Sequence, residues 1–553
     1  MEQGRLFLAI ALSFLVFIAW EFLFVDKQAP PPLVPSEKAV ETIVGENASP
    51  APEESPASEP AEILERPSTP GVFFKAIDIV TPLYTARISE KGAAIVSFVL
   101  NDYRQGVDAN SPKKELISEN NSSGTLLLGF TNKAVPGIAD AVFTTDLSGD
   151  ALAVTDASRS VSFFWRSDEG ILIEKRLSFY PDTYKIKMEV ILTNASTRAL
   201  EEDLTVSMMN SGPDDKRQFL FEGPFALVDN KLQEVNLKDI DKNNTISGNI
   251  EWAGIGDHYF MSVIISEISS SAKVFLNYKK DVNLLKVDYI QPESKLSPGA
   301  KRQFDFAVYL GPKRMSVLKS TGSNLEKAID FGFFDIIAKP CLWLMNFVHD
   351  HLIANYGIAI ILLTILFKII FWPLGTKSYK SMAEMKRLQP LMNEIRQKHK
   401  NDKKKMNEEI MGLYRTYKVN PMSGCLPMLV QIPVFFAFYR MLYGAIELRH
   451  APFWGWINDL SAPDRLFSFN FSIPLMTPPY GIPVLTIIMG ATMFLQQKLS
   501  PPPGDPSQAK IMMMLPLIFT FIFINFPAGL VLYWLVNNVL SISQQYYITR
   551  KNA

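Results

Sequence analysis

The chain has 553 residues, 48% hydrophobic and 20% charged, with 55 Lys and Arg against 56 Asp and Glu. At roughly 150 residues per domain, that length allows three or four soluble domains, or fewer if part of the chain lies in a membrane. Ten of the 37 Pro fall between residues 27 and 70 and fifteen of the 21 Met follow residue 340, which excludes a single compact soluble domain. With only Cys341 and Cys425 available, a disulfide-rich scaffold or a cysteine zinc site is excluded as well.

Residues 6–25 (LFLAIALSFLVFIAWEFLFV) are apolar apart from Ser13 and Glu21; as a helix they span about 30 Å, enough to cross a bilayer. The run exceeds a signal-peptide core and no small-residue cleavage site directly follows, so residues 1–26 read as an uncleaved signal anchor with Arg5 on the cytoplasmic side. Residues 27–70 hold ten Pro, eight Glu and no aromatic residue, the composition of a disordered linker.

From 71 to 320 the period becomes two. Tyr184, Ile186, Met188 and Val190 alternate with polar residues, as do Phe304, Phe306, Val308 and Leu310, while Asp168-Glu169-Gly170 and Pro181-Asp182 supply turns. The reading is a large extracytoplasmic antiparallel β-sandwich domain. Residues 321–355 mix charge with bulky apolar groups at helical spacing and are interrupted by Pro340, which suits an interfacial amphipathic helix. Five further apolar runs are read as spans over 356–375, 422–446, 482–498, 511–526 and 527–548, the last two meeting in a tight hairpin at Phe526-Pro527-Ala528-Gly529. Residues 376–421 carry twelve Lys and Arg against five acids, and the positive-inside rule places them in the cytoplasm. The expected fold is therefore a polytopic α-helical membrane protein with six transmembrane helices and both termini inside. Residues 447–481 form a periplasmic loop, 499–510 a cytoplasmic loop and 549–553 a cytoplasmic tail.

No enzyme motif is present: GxxxxGK[ST], HExxH and a nucleophile elbow are all missing, and the β-domain holds one histidine, His258. His349 and His351 have HxH spacing, but at the end of the interfacial segment they read as an ordinary polar boundary. No metal, cofactor or small-molecule substrate is expected.

Lys368 is the informative residue. It lies about 17 Å from the outer end of its span, and a lysine at a helix centre costs about 2.5 to 3.5 kcal/mol on insertion scales. Snorkelling to the cytoplasmic interface is the competing account. Thr364 shares its face. On the last span Trp534, Asn537, Asn538 and Ser541 form a polar stripe at i, i+3, i+4 and i+7, and Gln431 and Gln496 reach the inner half from two other spans. Convergence of these groups would line a wet cavity; the alternative is a set of interhelical hydrogen bonds holding the bundle. No Asp or Glu lies within spans two to six, so a cationic cavity suits a guest that brings its own negative charge. The basic loop is itself helical in pattern, an amphipathic hairpin whose Lys386, Arg387, Lys403, Lys404 and Lys405 could meet anionic lipid or ribosomal RNA, or enforce topology. Met512, Met513 and Met514, with Phe519, Phe521 and Phe523, give the fifth span an adaptable apolar surface.

In Lys377 to Pro390 (KSYKSMAEMKRLQP), Tyr417 to Pro433 (YKVNPMSGCLPMLVQIP), Glu447-Leu448-Arg449 and Phe526 to Tyr533 (FPAGLVLY), the chain resembles the YidC-type membrane protein insertases of Gram-negative bacteria, relatives of the mitochondrial oxidase-assembly and chloroplast thylakoid insertases. The resemblance covers essentially the whole chain. It implies one basic residue in the second span, commonly Arg and here Lys368, and an aromatic residue facing the groove where Trp534 stands. It implies a groove open to cytoplasm and lipid but closed to the outside, and an outer sandwich similar to sugar mutarotases without their catalysis. The expected function is a membrane protein insertase and chaperone of the inner membrane, with nascent membrane proteins, the Sec translocon, the ribosome and membrane lipids as partners; a small-solute channel or carrier is the alternative.

Overall fold

The structure is a computed structural model and describes residues 74–551 other than 109, 119–120, 132–134, 136, 213–220, 267–271, 293–294, 418, 420–425 and 501–505. The expected anchor over 1–26, the linker over 27–70 and Cys425 lie outside the described residues.

Period-two alternation lays residues 76–312 out as strands. The two segments singled out in the sequence pair with each other: Lys185–Asn194 runs antiparallel to Lys301–Pro312, with Ile186 opposite Val308, Met188 opposite Phe306 and Val190 opposite Phe304. All six side chains are buried. These strands form the middle of a nine-stranded sheet, flanked by Phe260–Ser266 and Ile171–Phe179. Asp168-Glu169-Gly170 turns the chain into Ile171–Phe179, and Gly170 takes φ 90°, a conformation that resists a side chain. A five-stranded sheet containing Leu204–Ser211 packs over Ile250–Gly256 and Phe260–Ser266, which makes the sandwich.

Two features depart from the expected antiparallel sandwich. A further five-stranded sheet is built around the hairpin of Tyr84–Ser89 and Ala94–Arg104. In it Ala76–Val80 pairs in parallel with Ala151–Ala153, which the long intervening connection permits.

Strict alternation also puts a charge in the core. Along Ile171–Phe179 the inward positions are Ile171, Ile173, Lys175, Leu177 and Phe179. Burying an Ile or Phe stabilises by roughly 1.5–3 kcal/mol, whereas a buried ammonium is costly unless it is hydrogen-bonded. Lys175 meets that condition: its Nζ donates to the carbonyls of Ala93 at 2.7 Å and Leu126 at 2.6 Å, linking two loops of the sandwich.

Beyond Pro312 the chain becomes helical. Helix α1 (Met315–Thr321) and 3₁₀ turns at Leu325–Ala328 and Gly332–Phe334 precede α2 (Asp335–His351), so the single interfacial helix read over 321–355 is segmented. Pro340 lies inside α2 and does not interrupt it. The helix starts only at Asp335, so the missing amide removes one early bond. Ile336, Trp343 and Phe347 of α2 are exposed, as an interfacial face requires.

Next come α3 (Tyr356–Ile370), α4 (Trp372–Arg387), α5 (Gln389–Lys398), α6 (Lys403–Thr416), α7 (Leu426–Gly444), α8 (Val484–Leu499), α9 (Pro506–Phe523) and α10 (Ala528–Lys551). The span read as continuous over 356–375 breaks at Phe371, because Pro373 has no amide to extend α3 and instead opens α4. No single described helix is long and apolar enough to cross a bilayer; α3 and α4 together are, bent by 65°. The expected two-helix cytoplasmic hairpin is likewise α4, α5 and α6, with Pro390 starting α5. Leu388, Met392 and Val419 are its buried centre, with Ile410 and Leu413 against them.

The α9–α10 hairpin turns at Phe526-Pro527 as expected and is fixed from the 447–481 loop: the Ala528 amide donates to the Ala462 carbonyl at 2.8 Å and Gly529 to Leu460 at 2.9 Å. A Cβ at Gly529 would sit 3.1 Å from the Leu460 carbonyl oxygen, so a side chain there would press the loop away by a few tenths of an ångström. The sandwich docks on the helices through His258, whose Nε2 bonds the Tyr443 carbonyl at the end of α7, and through Arg449, which donates to the carbonyls of Arg104 at 2.5 Å and Gln105 at 3.2 Å.

Burial pushes the Lys175 ammonium down to about 7, while the unfolded lysine titrates near 10.4. Between those values the unfolded chain binds more protons, so stability rises with pH across that window. In Lys175→Met this increment between pH 7 and 9 should vanish, while the two carbonyls left without a donor should cost about 1–3 kcal/mol. Denaturation of parent and variant at both pH values checks this; identical pH slopes would contradict it.

Candidate functional site

Lys368 occupies the last turn of α3, immediately before the break, and is half-buried. Its Nζ donates to Ser541 Oγ on α10 at 2.7 Å. Ser541 in turn donates its own proton to the Asn537 carbonyl one turn back, at 2.7 Å, which leaves its oxygen facing the ammonium as an acceptor. Among the described residues no carboxylate pairs with Lys368. Its remaining N–H groups need water or a guest, because an ammonium has three donors.

The polar stripe of α10 ties the other helices to this point. Asn537 Oδ1 accepts from Gln431 Nε2 of α7 at 2.8 Å, and Asn538 Nδ2 donates to Thr492 Oγ1 of α8 at 3.2 Å. Trp534 closes the outer end of the stripe inside an aromatic cluster, 4.7 Å from Phe435 and 4.8 Å from Phe523 between ring centroids, both edge to face. Of the residues read from the sequence, Lys368, Gln431, Asn537, Asn538 and Ser541 are thus joined directly or through α10. Thr364 is not: it is buried and its hydroxyl donates to the Ile360 carbonyl of its own helix at 2.7 Å. Gln496 sits half-buried near the end of α8, and none of the described hydrogen bonds connects its side chain to the network.

Several participants were missed, among them Tyr379, which bonds Ser541, and Tyr533, which bonds Gln431. Thr492, which receives Asn538, stands alone in an apolar run and gives no pattern to detect. Gln544 donates to the Trp372 carbonyl at 3.0 Å and clamps the bend, and its spacing of three from Ser541 and seven from Asn537 extends the stripe legibly.

Outside the stripe, α9 divides its aromatic residues. Phe519 and Phe523 pack on Trp534, while Met512, Met513, Met514 and Phe521 are exposed. In the basic hairpin, Lys386 and Arg387 are exposed in the last turn of α4, and Lys403 opens α6 with Lys404 and Lys405 exposed in its first turn. Cations are unfavourable at a helix N-terminus, and the Asp402 cap on the Lys405 amide at 3.0 Å offsets part of that. His349 stacks on Tyr356 at 3.8 Å and His351 on Phe347 at 4.7 Å. Among the described residues no group of His, Cys, Asp or Glu could hold a metal.

The arrangement is thus a β-sandwich resting on apolar helices whose polar side chains cross-link near one lysine. The family model described as the 60Kd inner membrane protein matches residues 347–553, and that described as the YidC periplasmic domain matches residues 76–344. The protein named membrane protein insertase YidC of Syntrophus aciditrophicus (strain SB) is 40% identical, over 98% of this chain and 99% of its own length. That of Geobacter metallireducens is 38% identical, over 100% and 99%. A solved structure described as an active YidC insertase with the first transmembrane domain resolved is 19% identical, covering 86% of this chain and 92% of its own, with a TM-score of 0.37. The chain belongs to the YidC family of membrane protein insertases, inner-membrane proteins with a periplasmic domain. None of these relatives supports a small-solute channel or carrier.

The Gln431–Asn537 bond predicts a measurable coupling between α7 and α10. A double-mutant cycle with Gln431→Ala and Asn537→Ala should return about 0.6 kcal/mol, the average for hydrogen bonds between membrane helices. A coupling of zero would show that the two amides do not act together.

Proposed function

We propose that the chain inserts nascent membrane proteins by hydrating the inner half of the bilayer around Lys368. The observation that carries this reading is the Lys368–Ser541 bond: an ammonium kept half-exposed at the end of α3 with a hydroxyl and no carboxylate as partner. A cation so placed has unspent attraction for an anionic guest, and in a low-dielectric setting that attraction is larger than in water. An acidic segment of the client is drawn to Lys368, Gln431, Asn537, Asn538 and Ser541, which shortens the hydrocarbon it must cross. Trp534 borders the same groove, with Gln496 as further lining, whereas the buried Thr364 is left out of it. The client's apolar helix then leaves into lipid along α7 and α9, where the exposed Met512, Met513 and Met514 adapt to varied sequences.

The accompanying topology is six spans, bounded as in the sequence reading with the second bent at Phe371, and both termini cytoplasmic. The twelve cations of residues 376–421 support that orientation. Lys386, Arg387, Lys403, Lys404 and Lys405 then face the cytoplasm, where they suit ribosomal RNA and anionic lipid headgroups. The Sec translocon is a further partner on this reading.

In a depletion strain, Lys368→Ala should impair insertion of a client with an acidic translocated tail by tenfold or more, and Lys368→Arg should restore most of it, because the charge rather than the ammonium shape is required. Normal insertion by Lys368→Ala would sink the role assigned to this residue. Replacing Lys404 and Lys405 together with Gln should weaken binding to ribosomes or anionic vesicles and flatten its salt dependence. A salt slope equal to that of the parent would exclude these lysines from the contact.

A further inference from the structure

A cavity of about 630 Å³ lies where the sandwich meets the outer ends of the helices, remote from Lys368. Its walls come from five parts of the chain: Asp102 and Tyr103 at the end of the strand Ala94–Arg104, Tyr184 at the start of Lys185–Asn194, Arg314 just before α1, Tyr356 at the outer end of α3, and Glu447 in the turn that follows α7. The volume would hold about twenty waters at roughly 30 Å³ each, far more than an internal structural site needs, and it falls in the range of small-ligand pockets.

The lining carries both signs of charge. Arg314 bonds the Tyr103 hydroxyl and faces the Glu447 carboxyl, which is itself held by Asn346 Nδ2 at 3.3 Å. Arg449 stands on the same wall. Burial pushes Glu447 above the usual carboxylate range, opposed by Arg314 and Asn346. Three tyrosine rings add faces that attract a cation. A purely anionic ligand would leave Asp102 and Glu447 opposing it, and a purely cationic one would meet Arg314 and Arg449.

His349 also lines the cavity, and the residues just after it in sequence, Leu352 and Ile353, are 64% and 43% exposed. One turn further along the chain from this wall residue there is thus an uncovered apolar strip. A soluble zwitterion would fill the chamber and leave the strip bare; a lipid covers both.

We propose that this cavity binds the zwitterionic head of an aminophospholipid from the outer leaflet, with phosphate against Arg314 and Arg449, ammonium against Asp102 and Glu447, and acyl chains along Leu352 and Ile353. The choice of lipid over a soluble phosphate ester rests on the proposed topology, which puts the outer ends of α3 and α7 at the periplasmic surface. The bound lipid joins sandwich, α1, α3 and α7, and so fixes the periplasmic domain on the membrane region.

The test uses the full-length protein in nanodiscs of phosphatidylethanolamine mixed with phosphatidylglycerol, extracted in mild detergent, with retained lipid counted by mass spectrometry. Phosphatidylethanolamine should be retained in preference to phosphatidylglycerol, and Arg314→Gln and Asp102→Asn should each lower its retention about tenfold. Circular dichroism and gel filtration verify folding; if Arg314→Gln does not fold, Asp102→Asn carries the comparison. Phosphoethanolamine at millimolar concentration should displace the lipid and inorganic phosphate should not. Equal retention of the two lipids, unchanged retention in the folded variants, or displacement by inorganic phosphate would each overturn the proposal. Because the readout is lipid and not insertion, its failure is separate from any failure of the Lys368 reading.

Discussion

An ammonium inside a helical bundle, answered by a hydroxyl instead of a carboxylate, is the constraint around which the membrane half of this protein is arranged. A Lys–Glu pair at the same depth would neutralise the charge and could be replaced by apolar residues at little cost. Ser541 does not neutralise anything. It orients the Lys368 ammonium while its own proton stays committed to the Asn537 carbonyl, so the positive charge persists and must be solvated. On the proposed reading that solvation keeps the site wet, which calls for polar groups from the neighbouring helices at that level. The amides of Gln431, Asn537 and Asn538 stand at that level, and because Gln431 bonds Asn537 and Asn538 bonds Thr492 across helices they do not collapse onto the lysine.

The bend at Phe371 follows from the same economy of position. A straight helix through residue 375 would leave Lys368 two turns short of the cytoplasmic end. Ending α3 at Ile370 brings the ammonium to the last turn, where the basic hairpin begins at once through α4. Gln544 secures the corner by bonding the Trp372 carbonyl, so the stripe that positions Lys368 also fixes the path of the chain leaving it. The periplasmic half is joined through Arg449 and His258, which engage backbone carbonyls and also pack on the rings of Tyr259, Phe260 and Tyr443.

What could be read in advance divides along physical lines. Period-two alternation is local, so Ile186, Met188 and Val190 identified their strand, whereas their pairing with Val308, Phe306 and Phe304 is long-range and appears only in the structure. The parallel edge at Ala151–Ala153 depends on a partner some seventy residues away and leaves no local trace. On α10 the spacing of Asn537, Asn538 and Ser541 announced one face, and that face is where Lys368 and Gln431 arrive. Thr364 shared a face with Lys368 by spacing, yet a threonine hydroxyl is satisfied by its own helix four residues back, and spacing cannot distinguish the two uses. Pro340 and Pro373 show the same limit: whether a proline ends a helix depends on how far inside it falls, and only the observed start at Asp335 decides the first case.

The distribution of charge then acquires a physical order. Lys403, Lys404 and Lys405 crowd the first turn of α6, where the helix dipole disfavours them, although the same charges would be welcome one turn from its other end. Helix stability therefore does not account for their position, and Asp402 is needed to cap what they strain. On the proposed reading an external anion accounts for it, because a polyanion would supply the negative charge that the first turn lacks. Lys368 poses the same problem at greater depth and with one charge instead of several. In both places no ion-pair partner stands among the described residues for Lys368, Lys404 or Lys405, and on the proposed reading the counterion arrives with the ribosome or lipid surface at the hairpin and with the client at Lys368.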